Sequence, residues 1–265
     1  MRFRINLEKM GRNEFIPINY QYELSSAIYR VIDRADGDFS KFLHEEGYAA
    51  YGKRFRLFTF SRIEFQGFKV IPEAGRISHF GNTASFTISF LIDKAAEEFI
   101  RGLFMAQELI IGDKISQVHF TVTAIEAVAP PHFIETMQYR SKSPLFVRRK
   151  RADGGEDYLH PDDSDYGILL MQNLISKSKA FALSTGDDQE FKAVLPDFSF
   201  RPLGKIHKNG VKIKQLTAQQ SMLIGYMFEF EFKAPVELQE IGYTAGFGHL
   251  GSQGFGSVEV KNEKI

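Results

Sequence analysis

The fold prediction starts from residues 75–105, GRISHFGNTASFTISFLIDKAAEEFIRGLFM. Two strand-like segments flank a Gly81-Asn82 turn, which predicts a β-hairpin over residues 75–92. Asp93 is then placed to cap a helix, because the apolar residues after it recur at helical spacing. The hairpin and the helix form the centre of a larger unit.

Segments on both sides of this centre complete a β-α-β-β-α-β order. Residues 2–7 (RFRINL) alternate in polarity as a strand does, and Asn19 is placed to cap the helix that follows. Residues 57–65 read as a further strand, and residues 115–128 as the closing strand. We read this order as the ferredoxin-like, split βαβ pattern.

The dipeptide Pro130-Pro131 interrupts the chain, which places a boundary there and predicts domains over residues 1–129 and 130–265. The second domain follows approximately the same pattern, although no repeat is visible in the sequence itself. Its predicted elements are strands around 133–150, a helix from about Asp163 to Ala182, a β region over 190–233, a short helix after Pro235 and a final strand over 257–260. The predicted fold class is therefore α+β, with two tandem ferredoxin-like domains.

The composition excludes several kinds of protein. Cysteine is absent, which excludes disulfides, thiol nucleophiles and thiolate metal sites and is compatible with a reducing, cytoplasmic location. The first ten residues lack the apolar segment of a signal peptide. No run of ~18 apolar residues is present, so we expect no membrane span and no membrane partner.

Charge is distributed unevenly along the chain. The 33 basic and 33 acidic residues give a net charge of zero, which argues against an evenly basic nucleic-acid binder. Three runs nevertheless contain basic residues and no acid. They comprise Lys53, Arg54, Arg56 and Arg62; Arg140, Lys142, Arg148, Arg149, Lys150 and Arg151; and Arg201, Lys205, Lys208, Lys212 and Lys214. One such run is typical of a solvated strand, but three in a neutral chain favour an anionic partner, best a phosphate backbone.

The third run contains a predicted turn. Residues 205–214, KIHKNGVKIK, read as a hairpin around Asn209-Gly210. A basic hairpin of this kind is suited to enter a nucleic-acid groove.

A glycine-rich loop, residues 246–256 (GFGHLGSQGFG), precedes the final strand. Gly246, Gly248 and Gly251 match G-x-G-x-x-G, but a dinucleotide site needs a strand before this motif and a helix after it. Here a predicted helix precedes the motif and a strand follows, so we reject that interpretation, and no lysine follows the glycines as a P-loop requires. Two interpretations stay open: a loop that presents N–H groups to phosphate, or a tightly packed turn.

Five segments together resemble one known family. They are MRFRINL, IPINYQYELSSAIYRVI, FLHEEG, KRFRLFTFS and the tail IGYTAGFGHLGSQGFGSVEV. Their order and spacing resemble the CRISPR repeat-processing endoribonucleases of the RAMP superfamily, over essentially the whole chain. The resemblance implies two RRM-like, ferredoxin-like domains. It also implies metal-independent cleavage of precursor CRISPR RNA within its repeats, by attack of a 2′-hydroxyl, giving a 2′,3′-cyclic phosphate and a 5′-hydroxyl.

The resemblance implies three active-site positions. His44 aligns with the catalytic histidine, and an ordinary histidine pKa of ~6.5 suits a general acid. Tyr29 aligns with a tyrosine that acts as base or orients the 2′-hydroxyl, and an ordinary tyrosine pKa of ~10 favours orientation. The third position is a cation before LFTFS, for which Lys53 and Arg56 both qualify; we prefer Lys53, because a loop insertion can return a lysine to the same place. Without the resemblance, His44 reads as a surface histidine and Tyr29 as a core aromatic residue.

The resemblance also implies an RNA-binding surface. Its predicted members lie in the two longer basic runs and the glycine-rich loop: Arg140, Lys142, Arg148, Arg149, Lys150, Lys205, Lys208, Lys212, Lys214, Gly246, Gly248, His249, Gly254 and Gly256. The histidines lack metal-binding spacing, so we expect no metal and no cofactor. Candidate partners are CRISPR repeat RNA, other CRISPR effector subunits and a second copy of the chain. The alternative functions are a non-catalytic RAMP protein that binds mature CRISPR RNA in an effector complex, and an unrelated RRM-like protein.

Overall fold

A computed structural model describes residues 1–186, 195–213 and 220–261 of the chain. The two larger hydrophobic cores each pack on their own main sheet, and residues 1–129 and 130–261 are described below as the N-terminal half and the C-terminal half. Among the described residues, no helix is both long enough and apolar enough to cross a membrane.

The N-terminal half is built on one six-stranded antiparallel sheet with the strand order β10-β11-β1-β9-β5, in which β6 also pairs with β9. Its elements are β1 (Arg2–Met10), β2 (Phe15–Pro17), α1 (Gln21–Ala35), α2 (Gly37–Glu45), β3 (Tyr48–Ala50), β4 (Lys53–Phe55), β5 (Phe58–Phe60), β6 (Glu64–Phe65), β7 (Lys69–Ile71), β8 (Arg76–Ser78), β9 (Thr83–Phe90), α3 (Asp93–Ala106), β10 (Glu108–Gly112) and β11 (Gln117–Ala127). With α1 after β1 and α3 after β9, strands β1, β5, β9 and β11 give the predicted β-α-β-β-α-β order.

The core of this half lies between the sheet and helices α1 and α3. In the central strand β1, Ile5 lies opposite Phe86 of β9 and Ile125 of β11, so apolar residues line one face. The two helices approach closely because α3 has a glycine at the contact. A Cβ atom on Gly102 would lie 1.9 Å from the carbonyl oxygen of Val31 in α1.

The structure corrects the hairpin predicted over residues 75–92. Strand β8 pairs with β2 and β7 in a separate small sheet, whereas β9 pairs with β1, β5 and β6. Between β8 and β9 the chain crosses from one sheet to the other, held by backbone bonds from the Gly81 N–H to the Gly67 carbonyl and from the Lys9 N–H to the Asn82 carbonyl. Strand β9 is buried on both faces, so it is stabilised at the centre of the main sheet instead.

Both predicted helix caps were also wrong. Tyr20 occupies the N-cap position of α1 in place of Asn19, and Ile92 precedes α3, in which Asp93 is the first helical residue. Neither helix has a side-chain cap, because burial of their apolar faces stabilises them without one. The strand predicted over 57–65 is interrupted and forms β5 and β6.

The C-terminal half repeats this topology in a four-stranded sheet with the order β15-β16-β12-β17. Its elements are β12 (Thr136–Ser141), β13 (Arg148–Lys150), β14 (Glu156–Tyr158), α4 (Tyr166–Ser184), β15 (Ser199–Ile213), β16 (Ser221–Lys233), α5 (Val236–Ala245) and β17 (Val258–Val260). In each half the first strand of the repeated pattern is flanked by the third and the fourth. The predicted element order is thus observed in both halves.

The basic hairpin predicted over residues 205–214 is wrong. Strand β15 runs straight through Asn209 and Gly210, which lie opposite Gly225 and Ile224 of β16. A tight Asn-Gly turn requires positive φ at both residues, and neither adopts it. The Asn209 side chain instead accepts a hydrogen bond of 2.7 Å from Arg62 of the N-terminal half.

The two halves are packed against each other through the helices of the C-terminal half. Helix α5 contacts β5 and β9, and α4 contacts β3 and β4. Near this contact the Arg2 guanidinium donates a 2.6 Å hydrogen bond to the Val258 carbonyl and lies 4.2 Å from the centre of the Tyr243 ring. The packing brings the glycine-rich loop against β5 and α1.

We predict that Gly256→Ala destabilises the protein more than Gly75→Ala does. Both glycines have positive φ, +76° and +63°, so both substitutions carry backbone strain of about 1–2 kcal/mol. A Cβ on Gly256 would also lie 2.2 Å from the Phe247 carbonyl oxygen, whereas nothing lies within 4 Å of one on Gly75. Urea unfolding measures the difference, and equal losses of unfolding free energy would contradict the tight packing of the loop.

Candidate active site

The structure brings Tyr29, His44 and Arg56 together. Tyr29 lies on α1, His44 in the last turn of α2, and Arg56 between β4 and β5. The rings of Tyr29 and His44 meet edge to face, with centroids 5.2 Å apart. Arg56 Nη2 donates a hydrogen bond to the His44 carbonyl, and the Arg56 guanidinium is close enough to the Tyr29 hydroxyl to oppose part of the rise in the pKa of Tyr29. One cation thus contacts both of the other predicted residues.

Local sequence determines how His44 is presented. Helix α2 is capped by Asp36, which accepts a 2.8 Å hydrogen bond from the Phe39 N–H. Phe39 and Leu43 are buried on one face of the helix, which leaves the His44 side chain exposed. Gly47 then turns the chain with φ +63°, at a position where a Cβ would lie 2.5 Å from the Phe55 carbonyl oxygen.

A strained residue follows Arg56. Leu57 is buried and has a φ of 54°, in the left-handed region that non-glycine residues rarely adopt. Leu57 connects Arg56 to strand β5, and burial of the Leu57 side chain holds the backbone in this conformation. Strain of this kind often occurs at functional sites.

Tyr29 is half-buried, and its ring packs against Phe58 at 5.8 Å. Burial raises the pKa of Tyr29 above its usual value, while hydrogen bonds from Ser252 and Arg56 and the charge of Arg56 oppose part of this rise. Tyr29 is therefore protonated at neutral pH. A protonated phenol can donate a hydrogen bond to a substrate oxygen, but it is a weak base.

Among the described residues, Lys53 makes no hydrogen bond with Tyr29 or His44. It is on the exposed strand β4, and partial burial together with the charges of Lys150 and Arg148 lowers its pKa. Lys53 therefore belongs to a cationic cluster with strand β13. Of the two candidate cations, the structure places Arg56 at Tyr29 and His44.

Most of the predicted RNA-binding residues near β12 and β13 are paired with acids. The basic run itself contains no acid, and the acidic partners come mainly from other strands. The ion pairs join Arg140 to Glu229 and Glu259, Lys142 to Glu64 and Glu259, Arg148 to Glu156, and Arg149 to Asp157 and Asp165. Five of the predicted lysines form no ion pair with any residue that the structure describes: Lys53, Lys150, Lys205, Lys208 and Lys212. Lys214 lies outside the described residues.

The glycines of the glycine-rich loop are largely buried within the protein. Gly246, Gly248, Gly254 and Gly256 all have positive φ, between 76° and 86°. Added Cβ atoms would lie 2.6 Å from the Phe146 carbonyl oxygen at Gly248 and 2.8 Å from the Phe60 ring at Gly254. Tight packing thus explains the need for glycine here, and contact of these residues with RNA stays a prediction.

A buried lysine holds the loop, and the sequence analysis missed it. Lys177 of α4 donates hydrogen bonds to the carbonyl oxygens of Ala245, Gly246 and Gly248, at 3.2, 2.5 and 2.8 Å. Burial lowers the pKa of Lys177 to about 7, whereas three carbonyl acceptors favour its ammonium form. The signal in the sequence was a lysine at helical spacing from Leu170 and Leu174, on the apolar face of a helix.

His249 lies in the loop as a neutral side chain. Its Nδ1 is 3.3 Å from the Phe146 carbonyl oxygen, and its ring packs edge to face on Phe146. Burial, followed by the charges of Arg148 and Lys177, lowers the pKa of His249 to about 3. Any contact between His249 and RNA would therefore be made by a neutral imidazole.

Two halves with one shared strand order define the class of this protein: an α+β protein built from two units of the same topology. The fold matches a solved structure described as "An RAMP protein binding different RNA substrates", with a TM-score of 0.77 and 23% identity, over 99% of this chain and 100% of that one. That protein shares the architecture of both halves.

Family comparisons give a narrower assignment. The model described as "CRISPR-associated protein Cas6, N-terminal" matches residues 15–126, and "CRISPR associated protein Cas6, C-terminal" matches residues 128–260. A relative in Methanocaldococcus jannaschii, "CRISPR-associated endoribonuclease Cas6 1", is 30% identical over 98% of this chain and 95% of its own. A solved structure of a Cas6-related protein from Pyrococcus furiosus has a TM-score of 0.80 and 26% identity, over 100% of this chain and 99% of that one. The chain belongs to the Cas6 family of CRISPR-associated proteins.

We predict that His249 makes the protein less stable in acid. The unfolded chain binds a proton at the ordinary histidine pKa of ~6.5, but the folded state holds His249 neutral down to about 3. Stability is therefore lost as the pH falls below ~6.5, by about 1–2 kcal/mol between pH 7 and pH 5. Urea unfolding at both pH values should show a loss that is smaller by this amount in His249→Gln. Equal losses in both proteins would contradict the neutral, buried imidazole.

Proposed function

We propose that this chain is a metal-independent endoribonuclease that cleaves precursor CRISPR RNA within its repeats. The observation that carries the proposal is the contact of Arg56 with both Tyr29 and His44. The M. jannaschii relative, which is named an endoribonuclease, aligns with nearly the whole chain and supports the same assignment.

The proposed reaction uses the nucleophile that RNA itself supplies. The 2′-hydroxyl attacks the adjacent phosphorus atom, and the bond to the 5′-oxygen of the next nucleotide breaks. The products are a 2′,3′-cyclic phosphate and a 5′-hydroxyl. An enzyme accelerates this step by orienting the 2′-hydroxyl, donating a proton to the 5′-oxygen and stabilising the additional negative charge on phosphorus.

Each of these tasks fits one residue of the site. Tyr29 is protonated and lies beside Arg56 and Ser252, so in our proposal it orients the 2′-hydroxyl, whose proton passes to water. His44 is exposed at the site and donates its proton to the 5′-oxygen. Arg56 lies between them and stabilises the charge that develops on the phosphate oxygens.

In the same proposal, repeat RNA follows the cations that form no ion pair with an acid among the described residues. Lys53 and Lys150 lie in one cluster near the active site, and Lys205, Lys208 and Lys212 of β15 provide a second. The arginines paired with acids contribute less, because a phosphate must compete with their carboxylate partners. We further propose that residues 1–129 and 130–265 are tandem ferredoxin-like, RRM-like domains, which the shared strand order supports.

We expect His44→Ala to abolish cleavage of the host's repeat RNA in the presence of EDTA, with little change in binding. A positioned general acid contributes ~10²–10⁴-fold to the rate. His119→Ala is the matched control, because His119 is an exposed histidine on β11. Single-turnover cleavage assays with end-group analysis measure the rate and identify the products. Binding without cleavage by the wild-type protein would instead support a non-catalytic RNA-binding role.

We expect Arg56→Ala and Lys53→Ala to have different effects. Loss of Arg56 removes the cation at the reacting phosphate, so the single-turnover rate should fall ~10²-fold while the RNA dissociation constant changes little. Loss of Lys53 should weaken binding and make it less dependent on salt, with a nearly unchanged rate at saturating RNA. Arg54→Ala controls for general loss of charge. A larger loss of rate in Lys53→Ala than in Arg56→Ala would assign the active-site cation to Lys53.

A further inference from the structure

The glycine-rich loop extends from the C-terminal half to the active site of the N-terminal half. Its two ends are joined by a 2.8 Å hydrogen bond from the Phe247 N–H to the Gly256 carbonyl. Lys177 binds the carbonyls of Gly246 and Gly248, at the start of the loop. Its tip is a single 3-10 turn, Gly251–Gln253. The tip is therefore held on a rigid base.

Contacts with α1 and β5 fix the position of this tip. The Ser25 hydroxyl of α1 donates a 2.6 Å hydrogen bond to the Ser252 carbonyl oxygen. A Cβ on Gly251 would lie 2.6 Å from the Phe58 carbonyl oxygen, and one on Gly254 would lie 3.0 Å from the Gln21 side chain. There is no room for even a methyl group between the loop and the N-terminal half.

The same contact places the Ser252 side chain at Tyr29. Ser25 and Tyr29 are four residues apart on α1, so they lie on one face, one turn apart. With its carbonyl held by Ser25, Ser252 lies one helical turn from Tyr29, and its side chain is close enough to the Tyr29 hydroxyl to oppose part of the rise in the pKa of Tyr29.

Two side chains from different halves of the protein thus act on the Tyr29 hydroxyl. Arg56 and Ser252 both oppose part of the rise in the pKa of Tyr29 that burial causes. In the proposed reaction, these two neighbours restrict the orientation of the phenol that meets the attacking nucleotide.

We propose that Ser252 is a positioning residue, which holds the Tyr29 hydroxyl in the orientation needed to bind the reacting nucleotide. The active site is thereby completed by a side chain of the C-terminal half. This inference rests on the proposed nuclease function, and it names a residue beyond Tyr29, His44 and the cation.

The test compares Ser252→Ala with Ser257→Ala in single-turnover cleavage of repeat RNA. Ser257 is the matched control, because its buried hydroxyl has no hydrogen-bond partner among the described residues. We expect Ser252→Ala to slow cleavage by about 10–100-fold, as small misplacements of reacting groups do, with RNA affinity unchanged. In a Tyr29→Phe background, Ser252→Ala should have no further effect. A rate equal to wild type, or an equal loss in the Tyr29→Phe background, would overturn the proposal.

A second pair of variants tests whether the hydrogen bond from Ser25 holds the tip of the loop in position. Ser25→Ala removes the bond to the Ser252 carbonyl, whereas the neighbouring Ser26 hydroxyl bonds only within its own helix, to the Tyr22 carbonyl at 3.0 Å. Cleavage should slow in Ser25→Ala and stay at the wild-type rate in Ser26→Ala. Equal rates in the two variants would contradict the role of the Ser25 hydrogen bond in positioning the loop.

A measurement without RNA separates this proposal from the proposed function. Tyrosine labelled with ¹³C at Cζ gives one NMR signal for each of the 10 tyrosines, and Tyr29→Phe identifies the signal of Tyr29. That signal should shift in Ser252→Ala and not in Ser257→Ala. If the wild-type protein fails to cleave any repeat RNA, the proposed function fails, and the NMR comparison still decides whether Ser252 holds Tyr29. An unchanged signal would refute the proposal.

Discussion

The arrangement of this protein depends on one buried ammonium group, that of Lys177. Its three bonds to the carbonyls of Ala245, Gly246 and Gly248 hold the end of α5 and the start of the glycine-rich loop against α4. Hydrogen bonds from a charged donor contribute about 1.5–3 kcal/mol each, and an unpaired buried carbonyl is costly. The loop that results is rigid enough to meet α1 at Ser25 and to reach Tyr29.

Basic residues are likewise held by partners that are distant in the sequence, in their case by acids on other strands. Arg140 lies on β12 and Lys142 directly follows this strand, and both form ion pairs with Glu259 of the neighbouring strand β17. Runs that are purely basic in the sequence are thereby neutralised in the fold. The lysines left without acidic partners in the described residues, such as Lys53 and Lys150, give a narrower and more specific cationic surface than the sequence indicated.

The sequence predicted the element order of both halves, because hydrophobic periodicity and the break at Pro130-Pro131 are local signals. Strand pairing is not local, so the hairpin over 75–92 was wrong: β8 and β9 adjoin in sequence and belong to different sheets. At the site, the family resemblance predicted Tyr29, His44 and either Lys53 or Arg56, and the fold adds that Arg56 contacts both Tyr29 and His44. Ser252 acts through a contact between the halves and Lys177 through contacts between α4 and the glycine-rich loop, which no spacing in the sequence encodes.

The position of Ser252 near the end of the described chain has a consequence for the timing of activity. During synthesis, N-terminal regions generally fold first, at about 5–20 residues per second. His44 and Arg56 can meet early, but roughly 200 further residues, about 10–40 s of translation, separate them from Ser252. In the proposed arrangement, a ribosome-bound chain holds an incomplete active site until the glycine-rich loop emerges. In that proposal, nascent protein would therefore cut nearby transcripts more slowly than the finished protein does.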